Sequence, residues 1–339
     1  MKEQLFIILL SLTLVSSCSE KKEATYRAPA FNNQVELSVE IINDDFIFMS
    51  IDFMDVYDSL LIVCDSSIDS MLNIFNKKDG SLIASGGTKG KGPNELIGPR
   101  DYSFDRKERQ LYIFDAGRDA LLKIDIDSLV LQKKFLSETV HLKNNHHVVN
   151  HNYHLKDSLF ISVNGLKEIG LVTENNIIDK AIPTTPYPFT SEEWLYFLAG
   201  HNGLKTNHIG NKLVLTTTIG GVMYIYDIDN NKISLNTTKY FYEPIFERKR
   251  AEFNFDESIF GFYDPYLSDR FIYSVLIGEK NPEHLPQHIS KFDYDGNPIT
   301  RYNVGYPVGV IAVDEEDKYI YMAIYKDGEL ALAKAVLPN

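Results

Sequence analysis

Five of the chain's nine histidines fall in one stretch, at His141, His146, His147, His151 and His154, a density that would suit metal ligation or proton transfer. The stretch leads into an apolar segment that reads as a strand. On an extended backbone His147 and His151 share one face while His146 and His154 take the other, so at most two can meet one ion. Further ligands, such as His201 or His208, would have to come from elsewhere. The expectation is therefore solvated or channel-lining imidazoles, with no resident metal and no cofactor. A second constellation is aromatic. Ten aromatic residues lie between Tyr240 and Tyr266, about three times the 12% average of the chain, and Glu247–Arg250 (ERKR) sets positive charge among them. The only tryptophan, Trp194, lies with Tyr196 in a second insertion at 183–203, where Ser191 to Glu193 signals a helix start. Such rings either stack on a sugar or peptide or bury their own insertion. Cys64 stands alone in an apolar strand with no His or Asn near it in sequence, which fits a core thiol and not a nucleophile. The glycine-rich run at 86–100 is no phosphate loop, because Lys91 is followed by Gly92 where Ser or Thr is required and no helix pattern follows.

The elements that must position these residues repeat. A polar residue followed by a short apolar strand recurs six times: DSLLI from Asp58, RQLYI from Arg109, DSLFI from Asp157, NKLVL from Asn211, DRFIY from Asp269 and DKYIY from Asp317. Taken at Leu60, Leu111, Leu159, Leu213, Phe271 and Tyr319, the steps are 51, 48, 54, 58 and 48 residues. A period of that size, with four short β-type segments per unit, predicts an all-β fold: a six-bladed β-propeller of four-stranded blades. In blade 2 those segments read DYSFD, QLYIFD, ALLKIDI and SLVLQKKF. After the sixth repeat the chain offers only three strands. The alternating Val35, Leu37, Val39 and Ile41 then supply the fourth, so the N-terminal strand closes the last blade and hides its edge.

Upstream of that strand, Lys2 precedes an apolar run from Leu5 to Val15, too short to span a bilayer and of the length of a secretory leader. Val15–Cys18 (VSSC) resembles the lipobox of bacterial lipoproteins, which implies acylation of Cys18 after cleavage. The expected organisation is a signal peptide at 1–17, a flexible tether at 18–34 and a propeller at 35–339. Lys21, Lys22 and Glu23 resemble the lysine-plus-acid surface-export signal of Bacteroidota lipoproteins, with one acidic residue in place of a pair. The formal net charge of −13 disfavours nucleic acid and anionic lipid as partners, so membrane association is expected through the lipid anchor only.

Nearly all of the mature chain resembles the TolB-like six-bladed propeller family of bacterial lipoproteins. The local match is GGTKGKGPNELIGPRDYSFD at 86–105, in which Gly90, Gly92, Pro93 and Glu95 fill a GxGPxE-type link between the first and second blades. The resemblance implies an exported lipoprotein of the cell envelope, anchored to the outer membrane, and no established reaction. The long connections, 86–100, 137–146, 183–202, 238–257 and 278–287, open on one face, and scaffold-held loops are where binding residues gather. The leading expectation is a non-catalytic binding or scaffold protein for a glycan, peptide or partner protein, with Trp194, Tyr196, Tyr242, Tyr263, Arg100 and Glu95 as ligand-binding candidates. The alternative is a metal-assisted lyase or lactonase-like hydrolase at the channel mouth, drawing on Asp52, Asp101, His151, Asn207 and Asp264.

Overall fold

The computed structural model describes residues 25–142, 149–164, 168–185, 189–200, 202–247 and 252–338. Its strands form six antiparallel blades. From the inner strand outward, blade 1 is Phe53–Tyr57, Leu60–Cys64, Ser70–Asn76 and Leu82–Lys89, and blade 2 is Pro99–Asp105, Gln110–Asp115, Ala120–Asp125 and Ser137–Val140. Blade 3 is Val149–Lys156, Leu159–Asn164, Glu168–Val172 and Ile177–Ala181, and blade 4 is Asn202–Thr206, Lys212–Thr217, Val222–Asp229 and Lys232–Tyr240. Blade 5 is Phe262–Leu267, Ile272–Leu276, His288–Phe292 and Pro298–Asn303; blade 6 is Val308–Val313, Tyr319–Lys326 and Glu329–Val336, finished by Val39–Asn43. The propeller of four-stranded blades, closed by the N-terminal strand, is thus observed.

The six-fold signature has a local cause. Its polar residue sits in the tight turn between first and second strands, where Asp58, Arg109, Asp157 and Asp317 hold φ of 51, 54, 48 and 54°. That left-handed region is most accessible to short polar side chains and glycine, and in blade 4 Gly210 takes it instead, at φ 65°. The strand that follows is covered by neighbouring blades on both sides, so Leu60–Cys64 and Ile272–Leu276 are buried at every position. Strands sandwiched in this way read as unbroken apolar runs.

Closure is finer than one strand. Val39, Glu40 and Ile41 pair antiparallel with Ala335, Lys334 and Ala333 of blade 6, whereas Asn33–Glu36 pairs parallel with Thr300–Asn303 of blade 5. The seven residues expected as one strand are therefore shared between two blades, with the break at Leu37 and Ser38. Val35, Leu37, Val39 and Ile41 all pack on the same apolar cluster, so the alternation is continuous even though the backbone changes partner. Part of the segment expected as a tether also lies on the body. Tyr26 meets Tyr240 edge-on at 5.5 Å, the Arg27 N–H donates to the Tyr240 carbonyl at 3.0 Å, and Phe31 packs on Phe292 with the Arg301 guanidinium 4.8 Å above its ring. Residues 1–24, including Cys18, lie outside the described residues.

Among the described residues two helices interrupt the blades. Helix α1, Ile126–Gln132, replaces the SLVLQKKF strand expected in blade 2, whose outer strand is Ser137–Val140 instead. The reason is its cap: the Asp125 carboxylate accepts from the N–H groups of Asp127 and Ser128, and Lys133 ends the helix at φ 58°. Helix α2, Ser191–Gly200, begins where the sequence indicates. Thr190 and Glu193 form a reciprocal capping box, with Glu193 accepting from the Thr190 N–H at 2.7 Å and the Thr190 hydroxyl accepting from the Glu193 N–H at 3.2 Å.

Candidate functional site at the two ends of the axis

Turns between first and second strands lie at one end of the propeller axis. Second-to-third turns and blade-to-blade links lie at the other, the long-loop face. Toward that face charged side chains from four inner strands converge: Asp101 from blade 2, His151 from blade 3 and Asp264 from blade 5 near the strand starts, and Lys205 from the short-turn half of the blade 4 strand, reaching Asp264. The Asp101 carboxylate lies 2.8 Å from His151 Nδ1 and accepts from the Tyr153 hydroxyl at 2.8 Å. A carboxylate only accepts, so Nδ1 carries a proton and donates to it. Nε2 is buried without a hydrogen-bond partner among the described residues. Lys205 Nζ stands 3.4 Å from an Asp264 oxygen and 4.4 Å above the Tyr102 ring. Burial pushes the Asp101 pKa upward, but His151, Lys205 and the Tyr153 hydrogen bond outweigh it, and the group stays ionised below its ordinary value. Asp264 goes the other way: burial, reinforced by the Asp101 charge, prevails over Lys205 and raises it. Two carboxylates held apart in this manner, beside an imidazole whose Nε2 has no partner among the described residues and an ammonium group, can grip a ligand carrying both donors and acceptors.

Three of the five channel-mouth candidates, Asp101, His151 and Asp264, are thus brought together. The other two are not. Asp52 accepts from the Ser66 N–H at 2.6 Å and is spent on a turn of blade 1. Asn207 lies at the opposite end, where its side-chain oxygen accepts from the N–H groups of Asn211 and Lys212 at 3.0 and 2.9 Å and shapes the blade 4 turn.

The ligand-binding candidates fare differently. Trp194 is fully buried, its indole N–H donating to the Tyr224 hydroxyl at 2.8 Å and its ring 5.3 Å from Phe189. It is the core of its insertion and not a stacking surface. The Tyr196 side chain lies outside the described residues. Tyr242 is half-buried and backs Gly278, where a Cβ would stand 2.9 Å from its hydroxyl. Four of the ten clustered aromatics, Phe241, Phe253, Phe262 and Tyr266, are buried outright, so that run mainly seats the insertion. Glu95 is a latch: its carboxylate accepts from the Gly92 N–H at 2.5 Å, and a Cβ on Gly90 would stand 2.1 Å from it. Arg118 ties the same loop to blade 2 through the carbonyls of Gly90 and Gly92, at 3.0 and 2.7 Å. The GxGPxE pattern therefore needs its glycines to admit the glutamate. Arg100 is exposed beside Asp101, and Tyr263 is half-buried beside Asp264, so these two border the charged mouth.

A second cluster lies at the short-turn end; of its residues the sequence drew attention only to His208, as a possible metal ligand, and to Tyr266, as the end of the aromatic run. Arg106 donates to the Val56 carbonyl at 2.8 Å, to Asp55 at 3.0 Å and to Glu315 at 3.1 Å, and lies 2.9 Å from His208 Nε2. The Tyr266 hydroxyl donates to Asp55 at 2.8 Å. Burial, then the Arg106 charge, pushes the His208 pKa down to about 4. Outside this cluster opens a cavity of 640 Å³ whose wall includes Phe104, Lys107, Tyr112, Lys123 and Lys156. His151 and His154 do not converge, since His154 stacks on Tyr112 at 4.2 Å while His151 meets Asp101; His146 and His147 lie outside the described residues. Among the described residues no three His, Cys, Asp or Glu side chains are grouped so as to hold a metal. Cys64 is fully buried, and burial raises its thiol pKa well above the ordinary value.

Known proteins agree with this architecture. The solved structure of a Bacteroides fragilis protein described as exported matches with a TM-score of 0.61 at 14% identity, covering 93% of this chain and 99% of that one. The WD40 repeats of RRP9 match at 0.53 and 7% identity, over 93% and 100% of the two chains. The propeller domain of Swd1 from Myceliophthora thermophila matches at 0.51 and 8%, over 85% and 84%. At these identities the likeness is one of fold alone. No curated protein sequence matches the chain. The model of TolB-like six-blade propellers matches residues 30–316 of the 339, and the chain belongs to that family.

Proposed function

We propose that this is a lipid-anchored propeller of the cell envelope, held at the outer membrane through Cys18, that works by binding a glycan, a peptide or a partner protein at the charged mouth of its axis. The observation that carries the reading is the convergence of Asp101, His151, Lys205 and Asp264 from four blades, with Arg100 and Tyr263 at the border. Burying charge is costly, and a fold stabilised by apolar blades has no structural need of a cluster whose two carboxylates are pushed in opposite directions. The VSSC motif and the exported Bacteroides fragilis relative support the location.

The test is binding of fractionated envelope glycans and peptides to the wild type, Lys205→Met and Asp264→Asn. A ligand of the mouth should lose at least about tenfold in affinity with either variant, the size of one charged contact. Undiminished binding by both would overturn this site. Consumption of the ligand would instead favour a reaction at the same cluster, with His151 Nε2, unpartnered among the described residues, facing it.

A further inference from the structure

The anchor and the fold together set which face meets the membrane. The first described residues leave the body at the long-loop face of blade 4. Tyr26 packs on Tyr240 and within the cluster around Trp194, and the Arg27 N–H donates to the Tyr240 carbonyl at 3.0 Å. Tyr240 marks that end of the blade because it pairs with Val222, the residue that opens the third strand. From Cys18 to Tyr26 there are eight residue steps, which span at most about 28 Å when fully extended. Blade 4 is itself deep: Val222–Asp229, eight residues long, covers about 26 Å. Bringing the short-turn face to the bilayer would consume the entire tether in crossing the blade.

We propose that the long-loop face is turned to the bilayer and the short-turn face, with its 640 Å³ cavity, to the aqueous phase. The proposal rests on acylation of Cys18. Exposed apolar side chains occur at both ends, Ile47 and Met49 (78 and 66% exposed) at the long-loop end and Val336 and Ile209 (62 and 55%) at the other, so they do not distinguish the faces. The lipid supplies the affinity and the tether supplies the orientation. It follows that the charged mouth addresses a ligand presented at the membrane, whereas the cavity between blades 2 and 3 is open to solutes.

The orientation is read with a fluorophore on single cysteines in the acylated full chain, bound to vesicles of phosphatidylethanolamine and phosphatidylglycerol carrying an acceptor lipid. Cys64 is fully buried and will not compete for the label. Glu243→Cys reports the long-loop face of blade 4 and Lys232→Cys the short-turn face, both at exposed positions. Glu329→Cys and Glu316→Cys repeat the comparison in blade 6. Energy transfer should be greater at 243 than at 232 by about twofold, given a separation near the ~26 Å blade depth. The pair in blade 6 should rank the same way. Equal transfer in both pairs, or greater transfer from the short-turn positions, overturns the orientation. Flotation with vesicles is scored separately: a chain with Cys18 intact that fails to float removes the anchor, and the orientation falls with it, while a floating chain with reversed transfer removes the orientation alone.

Discussion

Replacing Arg106 with methionine tests the idea that buried charge at the short-turn end ties blades together. The guanidinium bonds the Asp55 carboxylate and the Val56 carbonyl of blade 1, reaches Glu315 of blade 6 and touches His208 of blade 4. Its side chain is 13% exposed and that of Asp55 6%. Removing one partner of a buried pair costs about 3–5 kcal/mol because the other charge is stranded. Here Asp55 keeps the Tyr266 hydroxyl at 2.8 Å and the Val56 N–H at 2.7 Å, and methionine retains the packing of the stem. The lower end of the range, about 3 kcal/mol, is expected. Equilibrium urea unfolding is the assay, read through Trp194, the single buried indole. Neutralising the stranded charge with Asp55→Asn in the same chain should recover part of the loss, so that the double variant is more stable than the sum of the singles predicts by about 1 kcal/mol or more. A loss below about 1 kcal/mol for Arg106→Met, or strict additivity with Asp55→Asn, would refute the reasoning.

Other outcomes follow from the same contacts. His208 is held neutral in the fold with a pKa of about 4, below the 6.5 of a free imidazole; the unfolded chain therefore binds the extra proton between those values, and stability conferred above pH 6.5 should drain away as the pH falls toward 4, by up to about 3 kcal/mol. His208→Phe should flatten that part of the stability profile, and an unchanged profile would show that other groups dominate it. Deleting residues 33–43 uncovers the outer edges of blades 5 and 6 and should lower the thermal midpoint or cause aggregation, whereas deleting 19–24 should leave it unmoved; equal midpoints would contradict the closure. Glu95→Ala strips the Gly90–Gly92 loop of its internal acceptor and should cost about 1–2 kcal/mol in urea unfolding, with no measurable change arguing against the latch.

The repeat, the blade count and the role of the N-terminal strand were legible because each rests on local chemistry: a left-handed turn at Asp58 or Asp317, and a strand covered on both faces, leave the same mark wherever they occur. Helix α1 escaped notice because LVLQ suits strand and helix alike, and the Asp125 cap decided between them. Trp194 and the aromatic run were visible as a cluster, yet composition does not say whether rings face a ligand or each other, and Phe189 and Tyr224 turn Trp194 inward.

The axis shows the boundary most clearly. Arg106 meets Asp55, His208, Tyr266 and Glu315 across 51, 102, 160 and 209 residues, separations close to one, two, three and four repeat steps. The sequence alone determines that equivalent positions of successive repeats must gather around a common axis. Which side chains at those positions turn inward, and whether they pair there or remain open to a ligand, is decided only when the ring closes, because the twist of each blade and the few ångströms between inner strands select the partners. The periodicity that reveals the fold is carried by the turns and the covered strands, while the chemistry is carried by side chains that differ from blade to blade.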